Sequence, residues 1–160
     1  MKDFSHIDKN GKAAMVDVSE KHITERTAEA YAEVKVSEKV FSKIKLNEVV
    51  KGDVLMVAKI AGIQAAKKTS ELIPLCHNIF ISKIDLNFEL NEESNTIEIY
   101  SFAKTNSVTG IEMEALTAVN IAAITIYDMC KSIDKSIKIN NIHLLSKTGG
   151  KSGNYSVLDN

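Results

Sequence analysis

One segment near the start of the chain alternates regularly between apolar and polar residues. Between positions 27 and 36 every even-numbered residue is apolar, and these residues are Ala28, Ala30, Ala32, Val34 and Val36. A period of two predicts a β-strand with one buried face. The sheet that contains this strand therefore needs an apolar layer on that face.

The segments that follow predict two helices. Ser37 is a plausible N-cap for a short helix. The apolar face of that helix is Val40, Phe41 and Ile44. A second helix begins near Asp53 and ends before Pro74, because the residue before a proline favours extended backbone. Its predicted core stripe is Val54, Val57, Ala58, Ala61 and Ala65.

The second half of the chain predicts a hairpin, a long helix and a last strand. Residues 84–90 and 97–103 alternate on either side of the polar stretch NEESN, which predicts two strands joined by a short loop. Residues 109–131 predict a long apolar helix. Residues 136–147 predict a strand, with a bulge near Asn140 and Asn141 where the alternation changes phase.

The order of these elements predicts the fold class. The predicted order is strand, two helices, two strands, helix and strand. This is the order of a split βαβ, or ferredoxin-like, α+β sandwich with an antiparallel sheet and helices on one face. We expect a single domain over residues 1–160, with an irregular arm at 1–26, the core at 27–147 and a tail at 148–160. The second face of the sheet must be polar or covered, so an oligomer is plausible.

Composition narrows the classes of function. The formal net charge of −1 gives no electrostatic reason to expect a partner among nucleic acids or membrane surfaces. The N-terminal residues contain no apolar signal region, and no window approaches the roughly 18 apolar residues of a membrane helix. Two cysteines and no spaced Cys/His set predict neither a disulfide framework nor a structural metal site, which is typical of a cytoplasmic protein.

The start of the long helix carries two acids with ordinary explanations. Thr109 and Glu112 have the spacing of a capping box, and we expect the threonine to cap the helix. Glu114 lies in the first turn, where the helix dipole favours an acid. Either acid is equally compatible with a binding site.

The end of the same helix is harder to explain by helix stability. Asp128 opposes the dipole at a helix C-terminus, and it shares a polar stripe with Thr117, Asn120 and Lys131. One interpretation is a solvated face with an Asp128–Lys131 ion pair. The other is a partly buried acid and lysine whose pKa values move towards neutrality and permit proton transfer.

Other polar residues stand in loops and at the ends of elements. Cys76 and His77 follow a helix and precede a strand, where packing and a site are both possible. Several cations could together gather a phosphate-rich ligand: Lys21, Arg26, Lys51, Lys67, Lys131, Lys147 and Lys151. The stretch TGGKSG lacks the spacing of a Walker phosphate loop, and no helix follows it, so we reject a nucleotide triphosphatase.

Five stretches together resemble one protein family. They are MVDVSEK (15–21), KGDV (51–54), AGIQAAKKTSELIPLCH (61–77), TGIEMEALTAVNIAAITIYDMCK (109–131) and KTGGKSG (147–153). The chain resembles the cyclic pyranopterin monophosphate synthase family of molybdenum cofactor biosynthesis over nearly its whole length. The resemblance implies a ferredoxin-like fold assembled as a homohexamer of three dimers, without a metal or another cofactor.

The resemblance also implies a reaction. The family converts (8S)-3′,8-cyclo-7,8-dihydroguanosine 5′-triphosphate to cyclic pyranopterin monophosphate and diphosphate. Asp128 and Lys131 match its acid–base pair, and Lys51 matches a further catalytic lysine. The substrate-binding positions that the resemblance implies are Leu75, Cys76, His77, Met113 and Glu114, with Glu112, Lys67, Lys147, Arg26 and Lys21 as further candidates.

Two other classes compete with this interpretation. A non-catalytic ferredoxin-like module could bind a nucleotide or RNA through its lysines, although sheet aromatics are sparse and the net charge is slightly negative. A metal-binding protein could use Cys76, His77 and Cys130, and it would be purified with bound metal.

Overall fold

The alternating segment forms strand β1, Thr24–Lys35, in a computed structural model that describes residues 6–7, 10–151 and 153–159. The side chains of Ala28, Ala30, Ala32 and Val34 are fully buried, as the alternation predicts. The strand begins earlier than predicted, because Thr24 and Arg26 continue the pairing with Ser107 and Thr105. The predicted limit of the irregular arm at residue 26 is therefore wrong, and Arg26 belongs to the strand.

The remaining elements follow in the predicted order, with small additions. They are α1 (Glu38–Lys45), α2 (Val54–Ala66), α3 (Thr69–Leu72), β2 (Lys83–Asn91), β3 (Thr96–Ser107), α4 (Glu112–Cys130), β4 (Lys138–Thr148), β5 (Tyr155–Ser156) and a 3₁₀ helix (Val157–Asp159). The single turn α3 and the short β5 carry no periodicity, because each is too short to repeat a pattern. Of the predicted arm and tail, residues 1–5, 8–9, 152 and 160 lie outside the described residues.

Within the described residues the strands form one antiparallel sheet in the order β2-β3-β1-β4-β5. The first four strands have the order of the predicted ferredoxin-like α+β fold. The predicted bulge is present in β4, where Tyr31 pairs with His143 but Glu33 pairs with Asn140. Asn141, inside this bulge, has a positive φ of 52°, which asparagine tolerates better than most residues.

The helices cover one face of the sheet. Helix α4 packs on β1, β3 and β4, and α2 packs on β2 and against α4. The two helices approach closely at Gly62, where an added Cβ would lie 2.7 Å from a Leu86 methyl and 2.8 Å from the Ala118 carbonyl. This contact rotates the buried stripe of α2 towards Gly62, so Val57, predicted in the stripe, is 42% exposed.

The other sheet face is polar and aromatic. The rings of Tyr31 and Tyr100 lie 5.1 Å apart, and their hydroxyls donate to Glu33 and Glu98. Burial and the neighbouring carboxylates raise the pKa of Tyr100 to about 12. A polar second face was one of the two predicted possibilities.

Helix α4 is also long and apolar enough, by length and composition alone, to cross a membrane. The sequence-based expectation that no segment approaches such a length is therefore wrong for α4. Its residues Ala115, Val119, Ala122 and Ile126 are fully buried in the protein core. This burial is typical of the central helix of a globular protein.

Candidate active site

The structure brings three predicted residues together at the C-terminal end of α4. The Lys131 ammonium lies 2.5 Å from Asp128 Oδ1, and the Lys51 ammonium lies 3.7 Å from Asp128 Oδ2. Lys51 also donates to the backbone carbonyl of Asp128 at 2.9 Å. Gly52 follows with a φ of 100°, a conformation that glycine adopts without strain. A single carboxylate thus stands between two ammonium groups, which we call the lysine–aspartate cluster.

The electrostatics of this cluster differ from the prediction. The hydrogen bond from Lys131 and the charges of Lys131 and Lys51 lower the pKa of Asp128, and the same hydrogen bond raises the pKa of Lys131. The expected movement of both pKa values towards neutrality is wrong for the ligand-free chain. The reason is exposure, since roughly half of each side chain is accessible to water and burial opposes the charges only weakly.

Among the described residues, Glu114, at the opposite end of α4, is the carboxylic acid whose pKa is raised. The residue is 5% exposed, and burial, helped by the charge of Glu112, raises its pKa to about 7. Burial and the negative charge of Glu114 also raise the pKa of the Cys76 thiol. Position in the first helical turn therefore does not account for Glu114, because the dipole favours an ionised acid.

Glu112 does not form the predicted capping box. Helix α4 begins at Glu112, its N-cap is Ile111, and no side-chain hydrogen bond caps it. The Glu112 carboxylate instead accepts a hydrogen bond at 2.8 Å from Lys147 on β4, and each side chain is 25% exposed. Thr109 lies too early to act as the cap. The pair joins the helix start to the last long strand.

Arg26 and Lys21 line a cavity of about 780 Å³. Arg26 donates to the carbonyls of Ser107 and Val108, both at 3.1 Å, and so holds the loop before α4. The arginine side chain packs directly against Gly150, where a Cβ would collide with the guanidinium. Sequence reasoning did not single out Glu20, His22 and Thr24, which also line the cavity. Glu20 lies in the stretch MVDVSEK, but no motif or spacing marks His22 and Thr24.

The loop of Leu75, Cys76 and His77 is partly buried. The His77 Nε2 atom lies 2.9 Å from the Val16 carbonyl oxygen. Met113 is 38% exposed on the first turn of α4, and Lys67 is exposed at the C-cap of α2. Among the described residues, no group of three or more His, Cys, Asp or Glu side chains is arranged to hold a metal ion.

The predicted residues therefore form two groups on one chain. Sixteen residues separate Glu112 from Asp128 in the same helix, a distance of about 24 Å at 1.5 Å per residue. Glu112, Glu114, Cys76 and Lys147 lie at one end of α4, and the lysine–aspartate cluster lies at the other. Along the helix axis, the two groups of one chain are therefore far apart for a single small ligand.

Comparison with known proteins gives the family of the chain. The model of the MoaC family matches residues 15–150. The chain is 54% identical over 153 residues to the cyclic pyranopterin monophosphate synthase of Peptoclostridium acidaminophilum, covering 96% of each protein. It is 52% identical over 155 residues to the protein of that name from Heliobacterium modesticaldum, covering 97% of this chain and 98% of the relative. The chain belongs to the MoaC family.

Proposed function

We propose that this chain is a cyclic pyranopterin monophosphate synthase of molybdenum cofactor biosynthesis. It converts (8S)-3′,8-cyclo-7,8-dihydroguanosine 5′-triphosphate to cyclic pyranopterin monophosphate and diphosphate, and so acts as a phosphorus–oxygen lyase. Full-length similarity to proteins of that name supports the activity. The observation that carries the mechanism is the meeting of Lys51, Asp128 and Lys131 at one helix end.

The lysine–aspartate cluster supplies the acid and the base. Its pKa directions keep Asp128 ionised and Lys131 protonated in the ligand-free chain. Asp128 can therefore accept a proton from the rearranging ring system, and either ammonium can donate one to an oxygen or nitrogen that becomes basic. A bound ligand that excludes water strengthens these interactions, because the local dielectric constant falls.

The second group binds the two ends of the substrate. Lys147, Arg26, Lys21 and Lys67, which we call the phosphate-binding group, supply cations for the triphosphate, whose leaving diphosphate gains charge during cyclisation. The loop of residues 75–77, together with Met113 and Glu114, faces the guanine-derived ring. An ionised Glu114 accepts hydrogen bonds from ring N–H groups, and Glu112 is released from Lys147 when a phosphate replaces it.

Each complete site combines residues from two copies of the chain. The support for this step is the separation of about 24 Å between the two groups along α4. Apposition of two copies places the lysine–aspartate cluster of one beside the phosphate-binding group of the other. We propose a homohexamer of three such dimers. A cytoplasmic location fits the two free cysteines.

The deciding experiment is incubation of the purified protein with the cyclic dihydroguanosine triphosphate. Diphosphate should appear together with a pterin that becomes fluorescent on oxidation. Binding of the substrate without either product would overturn the proposed activity and favour a non-catalytic nucleotide-binding module.

A further inference from the structure

The contact between His77 and Val16 joins parts of the chain that are 61 residues apart. The carbonyl oxygen of Val16 can only accept, so Nε2 of His77 carries the hydrogen. We propose that His77 is a positioning residue, whose imidazole holds residues 14–22, the N-terminal arm segment, in place and thereby sets Lys21 at the cavity. The inference rests on the proposed function in one respect, which is that the substrate supplies the phosphate that Lys21 binds.

Local bonds fix the backbone on both sides of this contact. The Cys76 amide donates to the Ile73 carbonyl at 3.1 Å, which closes a turn over Pro74 and sets the direction of His77. On the other side, the Lys21 amide donates to the Val18 carbonyl at 3.0 Å. Holding Val16 therefore also restrains Lys21, which lies five residues further along the chain.

The other bonds of the arm segment do not attach it to the body of the protein. Between described residues, they join Ala14 to His6, Ser19 to Asp17, and Lys21 to Val18. Met15 is 49% exposed, and Ala14, Val16 and Val18 are only half-buried, so apolar packing holds the segment weakly. A segment with few buried contacts opens readily, and the loss of the His77 bond should increase the opening.

This role is separate from any contact of residues 75–77 with the ring and from acid–base chemistry. A tether needs a donor at the Nε2 position but no titration, so a glutamine amide should replace the imidazole in part. His77→Ala should weaken substrate binding and raise KM, because Lys21 is no longer held, while kcat changes less. His77→Gln should restore KM towards the native value.

The test that needs no substrate is limited trypsin digestion of the ligand-free full-length protein. The rate of cleavage after Lys21, followed by mass spectrometry, should rise about fivefold in His77→Ala, as expected for the loss of one ordinary hydrogen bond. His77→Gln should recover most of the protection. His143→Ala is the matched control, because that imidazole bonds at 2.8 Å to the carbonyl of Asn141 on its own strand, and it should leave the cleavage rate unchanged.

Equal cleavage of native protein and His77→Ala would overturn the tether, as would a glutamine variant no better protected than alanine. A glutamine variant that is protected but loses kcat as fully as alanine would show that the imidazole acts in the reaction, and would overturn the assigned role. Both variants are checked for native circular dichroism. If native protein shows no turnover, the proposed activity fails, and the digestion result still decides the tether.

Discussion

Lys51 donates a hydrogen bond to the backbone carbonyl of Asp128 at 2.9 Å while its ammonium lies 3.7 Å from the carboxylate of the same residue. The carbonyls in the last turn of a helix have no partner one turn further on, and a cation near that end is favourable. One lysine thus stabilises the end of α4 and orients Asp128, the acid in its last turn. The proposed catalytic arrangement and the helix terminus are the same structure.

Asp128→Asn should abolish turnover and leave the fold intact. The amide keeps the size of the side chain but removes the base and the negative charge between the two ammonium groups, and loss of a general base typically costs at least about 100-fold in rate. The side chains of the pair are largely exposed, so the melting temperature should change little. Diphosphate release and circular dichroism measure the two effects.

The matched control for this substitution is Glu92→Gln. Glu92 forms an exposed ion pair with Lys45 at 2.6 Å, and neither residue is paired with a member of the lysine–aspartate cluster. It should leave both turnover and melting temperature unchanged. Native activity in Asp128→Asn would remove Asp128 from its proposed role.

Glu114 should make the stability of the protein depend on pH. Its pKa rises from 4.5 to about 7 on folding, so between these values the folded state binds more protons than the unfolded state. Stability is then greatest below pH 4.5, falls as the pH rises towards 7, and is level above it. At about 1.4 kcal/mol per pKa unit, the fall attributable to Glu114 is about 3 kcal/mol.

Glu114→Gln removes the titrating group and should flatten this part of the profile. Urea unfolding at pH 5, 6, 7 and 8 measures the difference in the free energy of unfolding between variant and native protein. The variant should become more stable relative to the native protein as the pH rises. Glu92→Gln, an exposed acid, serves again as the control. A difference that is constant with pH would mean that the pKa of Glu114 is not raised.

Gly62→Ala should destabilise the contact between α2 and α4. The new Cβ would lie 2.7 Å from a methyl of the buried Leu86 and 2.8 Å from the backbone oxygen of Ala118. Overpacking of this kind costs about 1–3 kcal/mol, even though alanine is the better helix former. Denaturant unfolding should show the loss, whereas Gln64→Ala, on the exposed side of the same helix, should stay within about 0.5 kcal/mol.

The parts of the fold that could be predicted are those that repeat a pattern. The alternation through Ala28 and Val34 predicted strand β1 with one buried face. The change of phase at Asn140 predicted the bulge in β4. The two-residue strand at Tyr155 repeats nothing, so no period could reveal it. Arg26 was placed in the arm because the alternating apolar residues begin only at Ala28.

The site was predictable as a set of residue types but not as an arrangement. The polar stripe predicted that Asp128 and Lys131 are neighbours, because three residues nearly complete a helical turn. The burial of Glu114 depends on what packs over the first turn of α4, and the pairing of Glu112 with Lys147 joins residues 35 positions apart. Neither relation leaves a periodic signal in the sequence.

The separation of the two groups along α4 predicts complementation between inactive variants. Asp128→Asn damages the lysine–aspartate cluster, and Lys147→Gln damages the phosphate-binding group, so each homogeneous protein should turn over slowly. If a site takes Asp128 from one copy and Lys147 from another, a mixed pair contains one site with both native residues. A two-fold symmetric pair has two equivalent sites, so about half of the sites in each mixed pair should be active.

Co-expression of the two variants with different tags, followed by purification on both tags, isolates the mixed assemblies for this measurement. Their turnover should exceed that of either variant alone and of the two proteins mixed after separate purification. A site built within a single chain makes the opposite prediction, because every chain in the mixture then lacks one essential residue and activity stays at the level of the separate variants. Recovery of activity would therefore place the two ends of α4 in one site across two copies, as we propose from the length of the helix.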